Sequence, residues 1–473
     1  MEPQGQRRLL RPGRALVISR SDIEERVREW GLREDIIEKD HALGWLLRGI
    51  GSTPPLSEKW VFKGGTCLKK CYLETYRFSE DLDFTIRDDG PLAPDALSDL
   101  FSPMLARITE ESGIDFEARP PVFERRKHGR SVEGRVYYRG ARQAPEVARI
   151  KIDLTADEAV ARPPETRPVF HPYPDNPSPA FSVLCYSFLE LFAEKIRAMG
   201  ERSRPRDLYD IVNLYRRPDL GVDPAALRET LVLKCNAKGV PVPTLRILEA
   251  SPFRAELESE WANMLAHQLP VLPPFEPFWR DLGGLFRWLF GEAPRPAGPS
   301  AGSPDANVDV GWSPPPSITV WRARIPLEQI RFAAANHLCV ELGYNGSTRL
   351  VEPYSLRRNR AGNLLFYAMK VAPRALRSYS VGMIQSVKVT TRPFEPVAPV
   401  EFSATGPLTA PLTHRRVTGS RRYTGSSGTV YIVECSSCGR HFTRKTGDTA
   451  MKPHRDQTGD PCYGRSGHVV ETR

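Results

Sequence analysis

The chain has 473 residues, 40% of them hydrophobic and 26% charged, with a mean hydropathy of −0.40, which excludes a membrane protein and a largely disordered chain. At roughly 150 residues per domain this length implies about three domains. The net charge of +10 is uneven: residues 1–290 carry 43 Lys/Arg against 44 Asp/Glu, 291–413 carry 13 against 8, and 414–473 carry 11 against 5, so a polyanion would be drawn to the C-terminal part.

The N-terminus is basic and lacks a continuous apolar h-region, so a cytoplasmic location without membrane contact is expected. Ser21-Asp22-Ile23-Glu24 has capping-box form, and Ile36, Ile37, Leu43, Leu46, Leu47 and Ile50 follow at helical spacing. Trp60-Val61-Phe62, a Gly-Gly turn, a helix over 66–75 and the alternating run 81–86 then predict strand, turn, helix and strand. Residues 94–111 read as a helix, and 114–118, 132–138 and 147–155 as strands. From residue 182 the period becomes helical, with Leu184, Phe188, Leu191, Phe192, Ile196 and Met199 on one face; helices follow over 204–216, 224–236 and 253–269. Pro, Gly, Ser and Ala crowd 291–317, which reads as a linker, and 318–400 alternates short apolar runs with turns such as Tyr344-Asn345-Gly346, as in a small all-β unit. Residues 401–427 read as a second linker, before a Cys/His module at 428–473. The eight cysteines are too sparse for a disulfide framework.

Chemistry concentrates between Phe62 and Phe84. Residues two apart on a strand share a face, so Asp81 and Asp83 place their carboxylates side by side. A divalent cation, Mg²⁺ or Mn²⁺, relieves their repulsion and takes phosphate oxygens as its remaining ligands. Gly64 and Gly65 let backbone approach a ligand, and Thr66 at a helix start leaves amides free for phosphate. Taken singly, an Asp-x-Asp is often a solvated strand edge and a Gly-Gly pair only a turn.

Three segments together resemble the AbiEii/AbiGii toxin family of polymerase-β-like nucleotidyltransferases: Ile37-Glu38-Lys39-Asp40, Phe62-Lys63-Gly64-Gly65-Thr66 through Arg77-Phe78-Ser79-Glu80-Asp81-Leu82-Asp83-Phe84, and Ala193-Glu194-Lys195-Ile196-Arg197-Ala198 through Arg206-Asp207-Leu208-Tyr209-Asp210. The resemblance implies an α+β transferase domain with a helical C-terminal part over 1–290. It also implies transfer of NMP from an NTP to an acceptor such as a tRNA 3′ end, and a toxin countered by a cognate antitoxin or serving phage defence. Asp81 and Asp83 match the metal pair, Lys195 the family's essential lysine, Asp210 its final acidic residue and Ser79 the hydroxyl before the pair. Lys195 is suited to neutralise charge growing on pyrophosphate; its structural alternative is a pairing with Glu194 or an aspartate. Asp207 and Asp210, three apart on a helix, are expected to hold Lys195 and one of Arg206 or Arg197. Asp153, on a neighbouring strand, is a candidate base and third metal ligand, with an ion pair to Lys151 as the alternative.

Arg349 through Leu356, Leu365 through Ala368 and Ile384 through Val389 resemble the WYL domain, an Sm-like β-barrel, although the name-giving triplet here is Phe366-Tyr367-Ala368. If it binds nucleic acid, Arg349, Arg357, Arg358, Arg360 and Arg377 are phosphate contacts and Tyr354 or Tyr367 a stacking platform; the alternative is a solvated face. Cys435, Cys438, His454 and Cys462 have the spacing of a structural Cys₃His zinc site, with His441 or His468 as substitutes for His454. Arg415, Arg416, Arg421, Arg422, Arg444 and Lys445 beside it suit a nucleic-acid-binding tail, or the module docks protein. The competing reading of the whole chain is a nucleic-acid-binding regulator whose transferase fold is inert.

Overall fold

The computed structural model describes residues 18–73, 77–127, 130–177, 180–217, 220–250, 252–294, 309, 327–398, 400–401, 431–444, 448–457 and 459–472. The two expected linkers fall almost wholly outside these residues, as do Arg415, Arg416, Arg421, Arg422 and Lys445. The chain divides into two compact units, Met1–Pro296 and Ala297–Arg473.

The first unit opens with α1 (Arg20–Trp30) and α2 (Glu34–Gly51). Its capping box lies two residues before the expected one: the Ser19 hydroxyl accepts from the Asp22 amide at 3.4 Å, and Asp22 accepts from the Ser19 amide at 2.7 Å. That start brings Ile18 and Ile23, both buried, to the two positions of a hydrophobic staple. Next come α3 (Leu56–Lys59), β1 (Trp60–Lys63), α4 (Gly64–Cys67) continuing as a π-turn over Leu68–Tyr72, β2 (Asp81–Ile86) and α5 (Pro94–Ser112). Then follow β3 (Val122–Arg125), β4 (Ser131–Tyr138), β5 (Ala148–Thr155), β6 (Glu165–Pro168) and β7 (Ser182–Cys185). These strands form one mixed seven-stranded sheet in the order β3-β4-β5-β2-β1-β7-β6. The strand expected at 114–118 is reduced to a bridge between Asp115 and Arg139, because the Phe116 amide donates to the Thr109 hydroxyl on α5 instead of to a neighbouring strand.

The helix expected from 182 begins only at Phe188. Residues 182–185 pair with β1 and β6, and Ser187 then caps α6 (Phe188–Arg202) by accepting from the Glu190 amide. The helical part continues with α7 (Pro205–Tyr215), α8 (Pro224–Lys238), α9 (Leu245–Glu249), α10 (Phe253–Leu265) and α11 (Phe275–Leu289). Alternation on β2 and β5 sends Leu82, Phe84, Ile150, Ile152 and Leu154 into the core, where Trp60 lies 5.2 Å from Phe84 and 5.9 Å from Phe101 of α5. Asp81, Asp83, Lys151 and Asp153 are left on the opposite face.

In the second unit α12 (Leu327–Ala335), absent from the all-β expectation, precedes β8 (Leu338–Tyr344), β9 (Ser347–Arg358), β10 (Leu364–Lys370), β11 (Ala375–Ser380) and β12 (Ile384–Pro393). Asn345 and Gly346, with φ of 50° and 71°, make the tight turn between β8 and β9. The sheet order is β11-β10-β9-β8-β12. Among the described residues β11 and β12 pair only inward, so the sheet stays open where a closed barrel was expected. The C-terminal segment carries β13 (Tyr431–Cys435), β14 (His441–Arg444), β15 (His454–Arg455), β16 (Pro461–Cys462) and β17 (Gly467–Thr472); among its described residues the buried core is Val433, Cys435, Met451 and Cys462, with Tyr431, Cys438 and Phe442 packed against it.

Candidate active site

The sheet register assembles the site. Antiparallel pairing of β1 and β2 sets Lys63 opposite Asp83; parallel pairing of β2 and β5 sets Asp83 beside Asp153 and Asp81 beside Lys151. Residues paired across adjacent strands share a face, so three carboxylates and two lysines stand together. Burial pushes Asp83 up to about 6, with Lys63 and Lys195 opposing and the negative charges of Asp153 and Asp81 adding. Burial raises Asp81 as well, against the pull of Lys151 and Lys39.

At the end of β1, Gly64 turns with φ of 82°, and a Cβ there would stand 2.3 Å from Oδ2 of Asp83. Only a glycine lets backbone come this close to the carboxylate. A Cβ on Gly65 would meet the Arg77 guanidinium at 2.8 Å and the Ser79 hydroxyl at 3.1 Å, so Ser79 is folded onto the same turn. Thr66 is buried, and its hydroxyl donates to the Asp81 carbonyl at 2.5 Å, tying the turn to the start of β2.

Lys195 comes from α6, with its Nζ 2.8 Å from Oδ2 of Asp210 on α7. Asp210 is fully enclosed, and both its oxygens also accept from Arg77, Nε at 2.7 Å and Nη2 at 2.8 Å. Despite its burial, the charges of Arg77 and Lys195 hold the Asp210 carboxyl well below the usual range. Asp210 therefore holds two cations in place. Asp207, expected to pair with Arg206 or Arg197, instead takes a two-pronged contact from Arg202, both prongs 2.8 Å, because only a short turn separates the end of α6 from the start of α7. Arg197 is taken by Glu194 and Glu201. The ion pair foreseen for Asp153 forms too: Lys151 donates to it at 2.8 Å, and Arg126 binds its other oxygen.

Further cations surround the carboxylates, Arg206 alone among them expected from sequence, as a partner for Asp207 or Asp210. Lys63 binds Glu158, Lys39 donates to Glu80 at 2.8 Å, and Arg77 donates to Gln268 at 2.9 Å besides its grip on Asp210. Burial and the charge of Arg77 hold Arg206 below its ordinary value, while Asp81 and Glu80 act in the opposite direction. Lys39, Lys63, Arg77 and Arg206 all lie inside the motif segments, which is the signal that marked them.

In the C-terminal segment the ligand atoms of Cys435, Cys438, His454 and Cys462 lie within 4.8 Å of one another. His454 Nδ1 sits 2.8 Å from the Lys452 carbonyl and its Nε2 3.3 Å from Cys438 Sγ. A proton on Nδ1 leaves Nε2 as the ligating nitrogen. His441 is paired with Glu434 at 2.8 Å and His468 stands opposite Glu434 on β17, so neither joins the cluster. A Cβ on Gly464 would come 2.7 Å from Cys435 Sγ.

The stacking role considered for Tyr354 and Tyr367 is ruled out by position: both are buried, and the Tyr354 hydroxyl lies between Glu352 and the Val397 amide. Arg349 donates to the Tyr344 carbonyl, Arg357 pairs with Glu401 and Arg358 with Asp309, whereas Arg360 and Arg377 are exposed.

A family model described as nucleotidyl transferase AbiEii toxin, type IV toxin–antitoxin system, matches residues 45–290. Among solved structures, MenT4, a nucleotidyltransferase toxin from Mycobacterium tuberculosis H37Rv, is 19% identical, with 58% of this chain and 90% of that chain covered at a TM-score of 0.43. Proteasome accessory factor B/C of Arthrobacter aurescens is 15% identical, with 52% and 37% covered at a TM-score of 0.14. At these scores neither likeness bears on function. No curated protein sequence matches the chain.

Proposed function

The chain belongs to the AbiEii nucleotidyltransferase toxin family of type IV toxin–antitoxin systems, and from that premise we propose that it transfers a nucleoside monophosphate from an NTP to an RNA acceptor such as a tRNA 3′ end. The observation that carries this reading is the register that sets Asp83 beside Asp153 and opposite Lys63, with the Gly64 backbone against its carboxylate. Asp81 and Asp83 fit Mg²⁺ or Mn²⁺: they are an oxygen-only donor pair whose burial and like-charged neighbour raise them, a penalty that a divalent cation removes. When bound, such a cation neutralises phosphate charge in the transfer.

The chain's own groups supply the rest. Gly64 and Gly65 let the triphosphate approach the backbone, and the Ser79 hydroxyl beside that turn donates to a phosphate oxygen. Lys195 spends one N–H on Asp210 and directs the others at the pyrophosphate oxygens, whose charge grows as the bond breaks. Asp210 is a positioning residue for Lys195 and Arg77. Asp153 accepts the proton of the attacking hydroxyl, with Lys151 and Arg126 orienting it.

An antitoxin protein is the partner the family implies. Four ligands and a core too small to fold alone support structural Zn²⁺ at Cys435, Cys438, His454 and Cys462. The meander β8 to β11 with β12 returning beside β8 supports a WYL-like module over 318–400, and the positive charge of the C-terminal part suits RNA. Among the described residues no helix is long and apolar enough to cross a membrane; a cytoplasmic location is part of the same proposal.

The test is incubation of the full chain with Mg²⁺, each labelled NTP and total RNA, beside the Asp81→Ala/Asp83→Ala variant. Label on RNA from the wild type alone is expected. Equal label from both, or none with any NTP, overturns the assignment and returns the inert-transferase regulator to first place.

A further inference from the structure

The first unit contains a second cluster of metal-type ligands that the transfer reaction does not use. Cys67 closes α4 and Cys71 lies four residues on in the π-turn, so the two thiols project from one side of the helical segment. Cys185, far away in sequence, reaches them from the end of β7. The three sulfur atoms lie within 4.8 Å of one another. Cys67 and Cys185 are fully buried and Cys71 is 7% exposed.

We propose that Cys67, Cys71 and Cys185 form a three-coordinate thiolate site for one soft cation, Cu(I) being the probe of choice. Thiolates about 2.3 Å from a common ion in a plane stand roughly 4 Å apart, a spacing these three reach with small side-chain adjustments. Zinc calls for a fourth ligand, and hard cations call for oxygen. Among the described residues the Tyr72 hydroxyl is 3.7 Å from Cys185 Sγ, but it already lies 2.7 Å from the Tyr186 carbonyl and 3.3 Å from the Glu165 carboxylate, to which it donates. Three soft donors, with no free fourth among the described residues, select a soft ion of low coordination number.

The donor set, not the charge, selects the ion, and the charge left after loading needs a cation beside it. Loading the site removes three thiol protons and, with a monovalent cation, leaves two negative charges. The Arg167 guanidinium stands beside them, 4.4 Å over the Tyr72 ring and 3.3 Å from the Cys71 carbonyl, and is shared with the Glu165 carboxylate 3.6 Å away. In the other buried cluster, His41, His171 and Asp175, the carboxylate takes His41 at 2.7 Å, Trp45 at 2.8 Å and His171 at 3.3 Å, and each imidazole keeps an Nδ1 without a partner; its mixed nitrogen and oxygen donors suit a different ion from the three thiols.

A loaded site would clamp β7 to the helical segment that follows the Gly64–Gly65 turn. Cys67 is the residue after Thr66, whose hydroxyl holds the Asp81 carbonyl, and Cys185 is paired with Phe62 one residue before Lys63.

The experiment uses the full chain loaded with Zn²⁺ and titrated anaerobically with Cu(I) against a competing chelator, with bound copper counted by native mass spectrometry. The wild type is expected to take one more equivalent than Cys71→Ser or Cys185→Ala, and Cys438→Ser is expected to keep that equivalent. Two variants are included so that a folding failure in one leaves the other, and circular dichroism checks both. Equal copper uptake by the wild type and a folded Cys71→Ser or Cys185→Ala variant, including uptake by none of them, overturns the site.

Discussion

Replacing Asp83 by Asn is expected to strengthen the metal-free fold while abolishing transfer. Burial lifts this carboxyl from 3.8 to about 6 in the folded protein. At about 1.4 kcal/mol per pKa unit, keeping it ionised in the folded state costs about 3 kcal/mol at neutral pH. The sign follows from proton binding: the folded state holds the proton more tightly than the unfolded chain, so stability falls as pH rises from about 4 to about 6 and stays lowered above that. Asn keeps the shape without the charge. The gain of Asp83→Asn over the wild type should therefore be near zero at about pH 4 and reach about 3 kcal/mol above about pH 6, roughly 6–12 °C in Tm for a unit of this size. The assay is unfolding of the full chain in EDTA, followed by the helical circular dichroism signal across that pH range. Mg²⁺ should then raise the wild-type Tm and leave the variant unchanged. An Asp83→Asn protein no more stable than wild type at the alkaline end would refute the claim that burial penalises this charge.

The surrounding groups give further outcomes. Lys195→Met should lower transfer by about 10²–10³-fold while the fold persists, since Arg77 continues to satisfy Asp210; single-turnover label transfer beside a melting curve checks both. Asp210→Asn should destabilise by about 3 kcal/mol, because it strands two buried cations. The depressed Asp210 carboxyl makes the reverse pH prediction to Asp83: its contribution is present above about pH 4 and is lost as pH falls below it, so an acid titration should show a loss in the wild type that Asp210→Asn lacks. Stripping zinc with a chelator should expose residues 431–472 to protease while the helical signal of the first unit is retained, and Gly464→Ala, which crowds Cys435 Sγ, should do the same without a chelator.

The polar centre was more legible than its frame. Asp81, Asp83, Gly64, Gly65, Lys195 and the Cys₃His ligands each sit in short local patterns, so their grouping could be read without the fold. What Asp153 stands beside depends on strand pairing, which has no local signature: the same alternation that allows an ion pair with Lys151 also sets it level with Asp83, and the structure contains both. Arg77 was visible as part of a motif, but its contact with Asp210 spans two halves of the domain. β7 was absorbed into the following helix because Leu184 continues the apolar spacing of α6, and only pairing with β1 separates them. The tyrosines of β9 and β10 were read as surface because aromatic residues beside arginines suit nucleic acid, whereas the inner side of the sheet claims them.

The enclosed carboxylate of Asp210 also bears on how the domain could be divided or exchanged. It grips Arg77 from the strand half and Lys195 from the helical half, and Arg77 in turn reaches Gln268 beyond α10. A protein severed after β7 would keep its paired aspartates yet lose both the lysine and the anchor of Arg77, and its partner fragment would carry a buried negative charge with one counterion missing. That three-way lock ties the strand half to the helical half, and shuffled or circularly permuted versions should work only where it can reform.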